Sequence, residues 1–249
     1  MKNQALMILA LIICSISVFA DEIYDESKIP LTPQGNAIKY GRMIIEKTYA
    51  TLPQYVGNKM NCTSCHQVAG TKLGALPFIG LPAIFPEYNK RLNKVISLQE
   101  RVNECFRRSE NGHSLPFDSI EMNSILAYMA YISKGVPAGE VKGRGLAKMM
   151  QVDTTSKAII GNAISGKSIY EAKCSICHQA DGGGIAGEFP ALWGKDSFND
   201  QAGMSNVNNA TLFIYANMPK FAPGTLTLQE AADVAQYMDT QSRPHFIVE

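Results

Sequence analysis

The sequence predicts an all-α protein built as two small domains. Three observations carry that prediction. Two Cys-x-x-Cys-His pentapeptides, starting at Cys62 and Cys174, stand 112 residues apart in a chain of 249, a length that suits one large domain or two small ones. Apolar residues recur at helical spacing before and after each pentapeptide. A glycine-, proline- and lysine-bearing stretch without periodicity, 135–148, separates the halves. The hydrophobic share of 46% supplies material for two cores.

Each pentapeptide is the attachment signature of a c-type haem: the two thiols bond to the porphyrin and the adjacent imidazole becomes an iron ligand. The cofactor expected is therefore two covalently bound haem c, one on Cys62, Cys65 and His66, the other on Cys174, Cys177 and His178. A lone copy of such a motif could instead hold zinc or act as a redox dithiol. Two copies, each followed by a candidate sixth ligand and preceded by an export signal, argue for haem.

Residues 1–20 read as a signal peptide, with Lys2 at the start, an apolar run, and Val18-Phe19-Ala20 before Asp21. The apolar run is short for a retained anchor, and Ile13 is bulky for lipid processing at Cys14. A periplasmic protein without stable membrane insertion is expected. Near-balanced charge, 23 basic against 22 acidic residues, speaks against a nucleic-acid partner. Of six cysteines, Cys14 goes with the signal and four with haem, which leaves Cys105 and no structural disulfide. A thiol alone in an oxidising compartment needs protection, and a haem iron would supply it.

In chain order, 21–34 is charged and proline-flanked and reads as a flexible leader. The first haem domain is 35–135. Ala37, Tyr40, Gly41, Met43, Ile44, Ile45 and Tyr49 predict a helix over 35–52, and prolines and glycines make 73–88 a loop wrapping a haem face. A helix is expected over 88–106, and another over 117–133, carrying Ile120, Ile125, Leu126, Tyr128, Met129 and Ile132. After a linker, 136–158, the second domain (159–249) repeats the plan. It has a short helix at 164–172, a glycine loop at 181–184, a helical turn at 212–216 and a last helix over 227–240.

His66 to Cys105 is 39 residues and His178 to Met218 is 40, so each domain offers a sixth-ligand candidate just before its last helix. Met218 sits in an Asn-Met-Pro loop. Its thioether would favour ferrous iron, with Met204 and Met238 as alternatives. Cys105, as a thiolate, would lower the potential of its haem; His113 and Met122 are the alternatives. Arg91, Arg101, Arg107, Arg108 and Ser109 fall within 19 positions around it, and Arg101 shares a helix face with Cys105. Guanidinium groups bind oxyanions through forked donors, although any one of these arginines could simply face solvent.

The segment GKSIYEAKCSICHQADGGG, with FPALWG, ANMP and LTLQEAADVAQYM, resembles a class I cytochrome c domain. The first domain, with NCTSCHQ, PEYNKR and ISLQERVNECFRRSENG, resembles the diheme cytochrome c thiosulfate dehydrogenases. The resemblance implies two class I cytochrome c-like domains, a catalytic His/Cys haem and a His/Met electron-transfer haem. It also implies an oxidoreductase interconverting thiosulfate and tetrathionate, with a small redox protein such as a cytochrome c as electron partner. By the same resemblance Arg91, Arg101 and Ser109 hold the sulfur oxyanion, Cys105 can leave the iron and carry a sulfur adduct, and Arg107 and Arg108 are flanking. Some relatives place a competing lysine ahead of the methionine ligand, where this chain has Asn217. A non-catalytic diheme carrier, a haem subunit of a larger sulfur-oxidising complex and, more distantly, a diheme peroxidase are the competing classes.

Overall fold

A computed structural model of the protein describes residues 24–139 and 159–247. The expected signal peptide, the first residues of the expected leader and most of the expected linker lie outside the described residues. Helix α1 (Pro33–Glu46) starts two residues before its expected position. The Thr32 hydroxyl accepts from the Gly35 N–H, and Pro33 fills the first turn, where its missing N–H costs nothing. It stops where Lys47 leaves helical geometry, before a single turn, Thr48–Thr51. Residues 24–32, expected to belong to a flexible leader, pack onto this domain instead. Ile29 is in the core, Tyr24 stacks against Tyr128 and Tyr131, and the Tyr131 hydroxyl donates to the Asp25 carbonyl at 3.1 Å.

The helix expected over 88–106 is instead a two-stranded hairpin followed by a helix. Strands β1 (Glu87–Asn89) and β2 (Lys94–Ile96) pair antiparallel. The cause is Asn89, whose side-chain oxygen accepts from the N–H groups of Arg91 and Leu92, at 2.9 and 3.1 Å. That local bond offers the chain a turn in place of a helix, and Asn93 completes it with φ 51°. Helix α2 (Leu98–Arg108) then starts afresh with Ser97 as its cap. Helix α3 (Ile120–Ile132), capped by Ser119, crosses α1 at Gly41, where a Cβ would lie 1.9 Å from the Ser124 carbonyl oxygen.

The second domain repeats that crossing. Helix α4 (Ala163–Lys173) and helix α6 (Leu228–Asp239) meet at Gly166, where a Cβ would lie 1.9 Å from the Asp233 oxygen. Only glycine allows either approach, so one packing device serves both halves. The turn expected at 212–216 is a full helix, α5 (Val207–Asn217), because Asn206 caps it five residues earlier. Tyr170, Trp193, Val234, Ala235 and Met238 form the core. Apart from the hairpin and an isolated bridge, the described residues are helical or irregular.

The domains are locked together. The Asn199 amide donates to the Arg107 carbonyl at 2.9 Å and to the Asn111 side chain at 3.1 Å, and its N–H donates to the Arg108 carbonyl at 3.1 Å. Asn58 bridges the Ser109 and Ser197 carbonyls, while Met60 packs with Phe198 and Ala202. Among the described residues no helix is long and apolar enough to cross a membrane.

Candidate functional site

Each Cys-x-x-Cys-His pentapeptide opens a cavity. The first, of about 1270 Å³, is lined by Cys62, Cys65, His66 and Cys105 among apolar side chains such as Ile45, Phe85, Val102 and Ile125. Thr48, fully buried, holds Cys62 in place. The Thr48 hydroxyl accepts from the Cys62 N–H at 2.9 Å and donates to Cys62 Sγ at 3.3 Å. Burial pushes the Cys62 thiol well above its ordinary value and the Cys65 thiol up to about 12. Both sulfurs are therefore neutral in this apolar cavity.

The histidines are oriented for iron. His66 Nδ1 lies 2.5 Å from the Leu76 carbonyl oxygen, and His178 Nδ1 lies 2.9 Å from that of Pro190. A carbonyl only accepts, so Nδ1 carries the proton and Nε2 keeps its lone pair for a metal. Burial lowers both imidazoles below their ordinary value, His66 to about 4, so both are neutral at pH 7. A neutral nitrogen donor, a pair of cysteines and an apolar wall in each half fit two covalently bound haem c.

Cys105 lies in the last turn of α2 and is half-buried. Arg101 sits one turn earlier, and its Nη1 donates to Cys105 Sγ at 3.1 Å. The electrostatic interaction with Cys105 raises the Arg101 pKa. His113 and Met122, the alternatives to Cys105, do not line the first cavity; Met60 and Met129 do. Beside the haem cavity is a second, more polar pocket of about 1140 Å³, lined by His66, Arg91, Arg101, Cys105 and Ser109. All four residues expected around the substrate thus share one pocket with His66. Arg91 reaches it from the hairpin turn and donates to the Gln201 carbonyl of the second domain at 2.8 Å. Burial, and then the nearby Arg108, lower its pKa. Such crowded cations make a site that an oxyanion relieves.

Arg107 and Arg108, expected as flank, are paired. Arg107 bonds Glu100 and Ser114, at 2.7 and 2.6 Å, and Arg108 bonds the buried Glu104. Sequence reasoning missed the residues that hold the site in place. Glu104 accepts from the Asn89 amide at 2.7 Å and so anchors the turn that carries Arg91. Glu110 lines the first haem cavity at 3% exposure, with one carboxyl oxygen lacking a hydrogen bond, and burial pushes it up to about 8. The Glu104–Asn89 bond spans 15 positions, so no local pattern marks it.

The second cavity, of about 1070 Å³, is lined by Cys174, Cys177, His178 and Met218. Met204 and Met238 also line it, and Met218 follows directly on α5. Burial pushes the Cys174 thiol up to about 11. Met60 and Cys65 line both haem cavities, so the two centres share a wall.

Comparison with known proteins agrees with this architecture. Residues 54–138 match the family model "SoxA/TsdA, cytochrome c domain", and 161–238 match "Cytochrome C oxidase, cbb3-type, subunit III". The thiosulfate dehydrogenase of Psychrobacter arcticus is 39% identical over 88% of this chain and 67% of its own length. That of Allochromatium vinosum is 38% identical over 85% of this chain and 80% of its own length. The structure of thiosulfate dehydrogenase (TsdBA) from Marichromatium purpuratum superposes with a TM-score of 0.81 at 30% identity; it covers 89% of this chain, which spans 49% of that longer one. Motifs, cavities and kinship over most of the sequence agree that the chain belongs to the thiosulfate dehydrogenase family, as a cytochrome c with two haems.

Proposed function

We propose that this protein is a periplasmic oxidoreductase, exported by residues 1–20, that interconverts thiosulfate and tetrathionate in the pocket of Cys105, Arg91, Arg101 and Ser109. In this reading His66 and Cys105 would hold the iron of the first haem at rest, and His178 and Met218 that of the second. The observation that carries it is the Arg101–Cys105 contact of 3.1 Å inside a pocket that also contains His66. Bound haem supplies a one-electron acceptor at each centre, so two centres together accommodate an electron pair.

The chain's own residues do the rest. Thiosulfate is a dianion, and joining two of them brings like charges together. Arg91 and Arg101 neutralise that charge through charge-assisted bonds, and Ser109 offers a hydroxyl donor. The Cys105 thiolate forms a sulfur–sulfur bond to the terminal sulfur of the first thiosulfate, with release of two electrons. The second thiosulfate attacks that terminal sulfur, displaces Cys105 as thiolate and leaves as tetrathionate. No proton is required at either step, and each runs backwards for tetrathionate reduction. Met218 would favour the ferrous state of the second haem, which would suit that centre to pass electrons to a small redox protein such as a cytochrome c.

The test is thiosulfate-dependent reduction of an artificial acceptor by purified mature protein, together with reoxidation of its reduced haems by tetrathionate. Turnover in either direction without a partner chain is the expected result. Two intact haems with neither reaction would leave a carrier.

A further inference from the structure

The two iron-ligand sets meet at one short segment of the first domain, 74–76. Leu76 accepts the His66 Nδ1 hydrogen bond at 2.5 Å. Two residues earlier, the Gly74 carbonyl accepts from the Asn217 amide of the second domain at 2.8 Å. Asn217 directly precedes Met218, ends α5 and is 1% exposed. Between these two bonds Ala75 is fully buried against Phe213, with Leu76 and Met218 packed on the same cluster.

The Asn217 amide is committed to this task. Its nitrogen also donates to the Phe213 carbonyl at 3.1 Å, while its own oxygen is buried without a partner. Both neighbours are carbonyls, which only accept, so the nitrogen must face them even though the oxygen stays unsatisfied. A side chain kept in that state is used for its donors.

We propose that Asn217 is a positioning residue for His66 in the other domain, acting through 74–76, so that the two haems are coupled through this segment. The inference rests on His66 and Met218 being the iron ligands assigned above. The hydrogen bond from the non-coordinating nitrogen sets how strongly an imidazole donates to its metal. Asn217 pins Gly74, Gly74 and Ala75 fix Leu76, and the Leu76 carbonyl keeps the His66 ring oriented and electron-rich. Releasing Gly74 weakens that bond and makes the first haem easier to reduce.

The experiment is a potentiometric titration of the holoprotein, followed spectroscopically so that the two haems are resolved, for wild type and Asn217→Leu. Wild-type spectra first establish whether the axial ligands are those assigned, so a failure of that reading shows before any variant is measured. With the ligands confirmed, the expected result is a first-haem reduction equilibrium shifted about threefold to tenfold towards ferrous, an effect smaller than direct loss of a ligand's hydrogen-bond partner. A change confined to the second haem, or none, overturns the proposal. Should Asn217→Leu not fold, Ala75→Gly frees the same segment from the first-domain side and must move the first haem in the same direction.

Discussion

An exposed guanidinium, that of Arg101, stands beside the Cys105 sulfur. Arg101 reaches Cys105 Sγ while remaining open to solvent, so it can exchange that contact for a substrate oxyanion. Arg101→Ala should therefore lower kcat/KM for thiosulfate by roughly 10- to 150-fold, the range expected for a hydrogen bond to a charged group. Arg101→Lys should recover only part of that, because an ammonium lacks the forked geometry. Steady-state kinetics on both variants would check this. The Cys105–Arg101 spacing was legible in sequence because one helical turn links the two residues. Glu104, Asn89 and Leu76 were not, because each acts through a hydrogen bond that only the folded chain creates.

At the scale of elements, local side-chain bonds decide where helices begin. Asn89 turned an expected helix into a hairpin, and that hairpin brings Arg91 to the site. Apolar periodicity alone could not reveal this, since Leu92, Val95 and Ile96 fit either pattern. The last helix was legible because its cap is written locally: Thr227 and Glu230 bond each other's N–H groups. Thr227→Ala should destabilise the second domain by about 1 kcal/mol in thermal or denaturant unfolding. The Thr227 N–H and then Lys173 hold the Glu230 carboxyl below its ordinary value. Its stabilisation is thus present above the unfolded carboxylate pKa and is lost as pH falls through the lower folded one. The difference in melting temperature between wild type and Glu230→Gln should be widest near neutral pH and close on acidification.

At the scale of the molecule, the two domains form one electron-transfer unit because polar bonds and shared apolar clusters fix their contact. Asn199 ties its own loop to the end of α2, one turn beyond Cys105. Asn199→Ala removes both side-chain bonds to the first domain, and should cost about 1–2 kcal/mol and separate the unfolding transitions of the two domains in calorimetry. The two-domain plan could be read from the repeated pentapeptides, but the interface could not, because its hydrogen bonds join residues 88 to 143 positions apart. What this architecture protects is the pocket at Cys105, and the most direct test of its role is Cys105→Gly. The account predicts a variant that keeps both covalently attached haems yet loses roughly 1000-fold or more in turnover with thiosulfate and tetrathionate, about 4 kcal/mol of transition-state stabilisation. Turnover within a few-fold of wild type, with both haems in place, would contradict it.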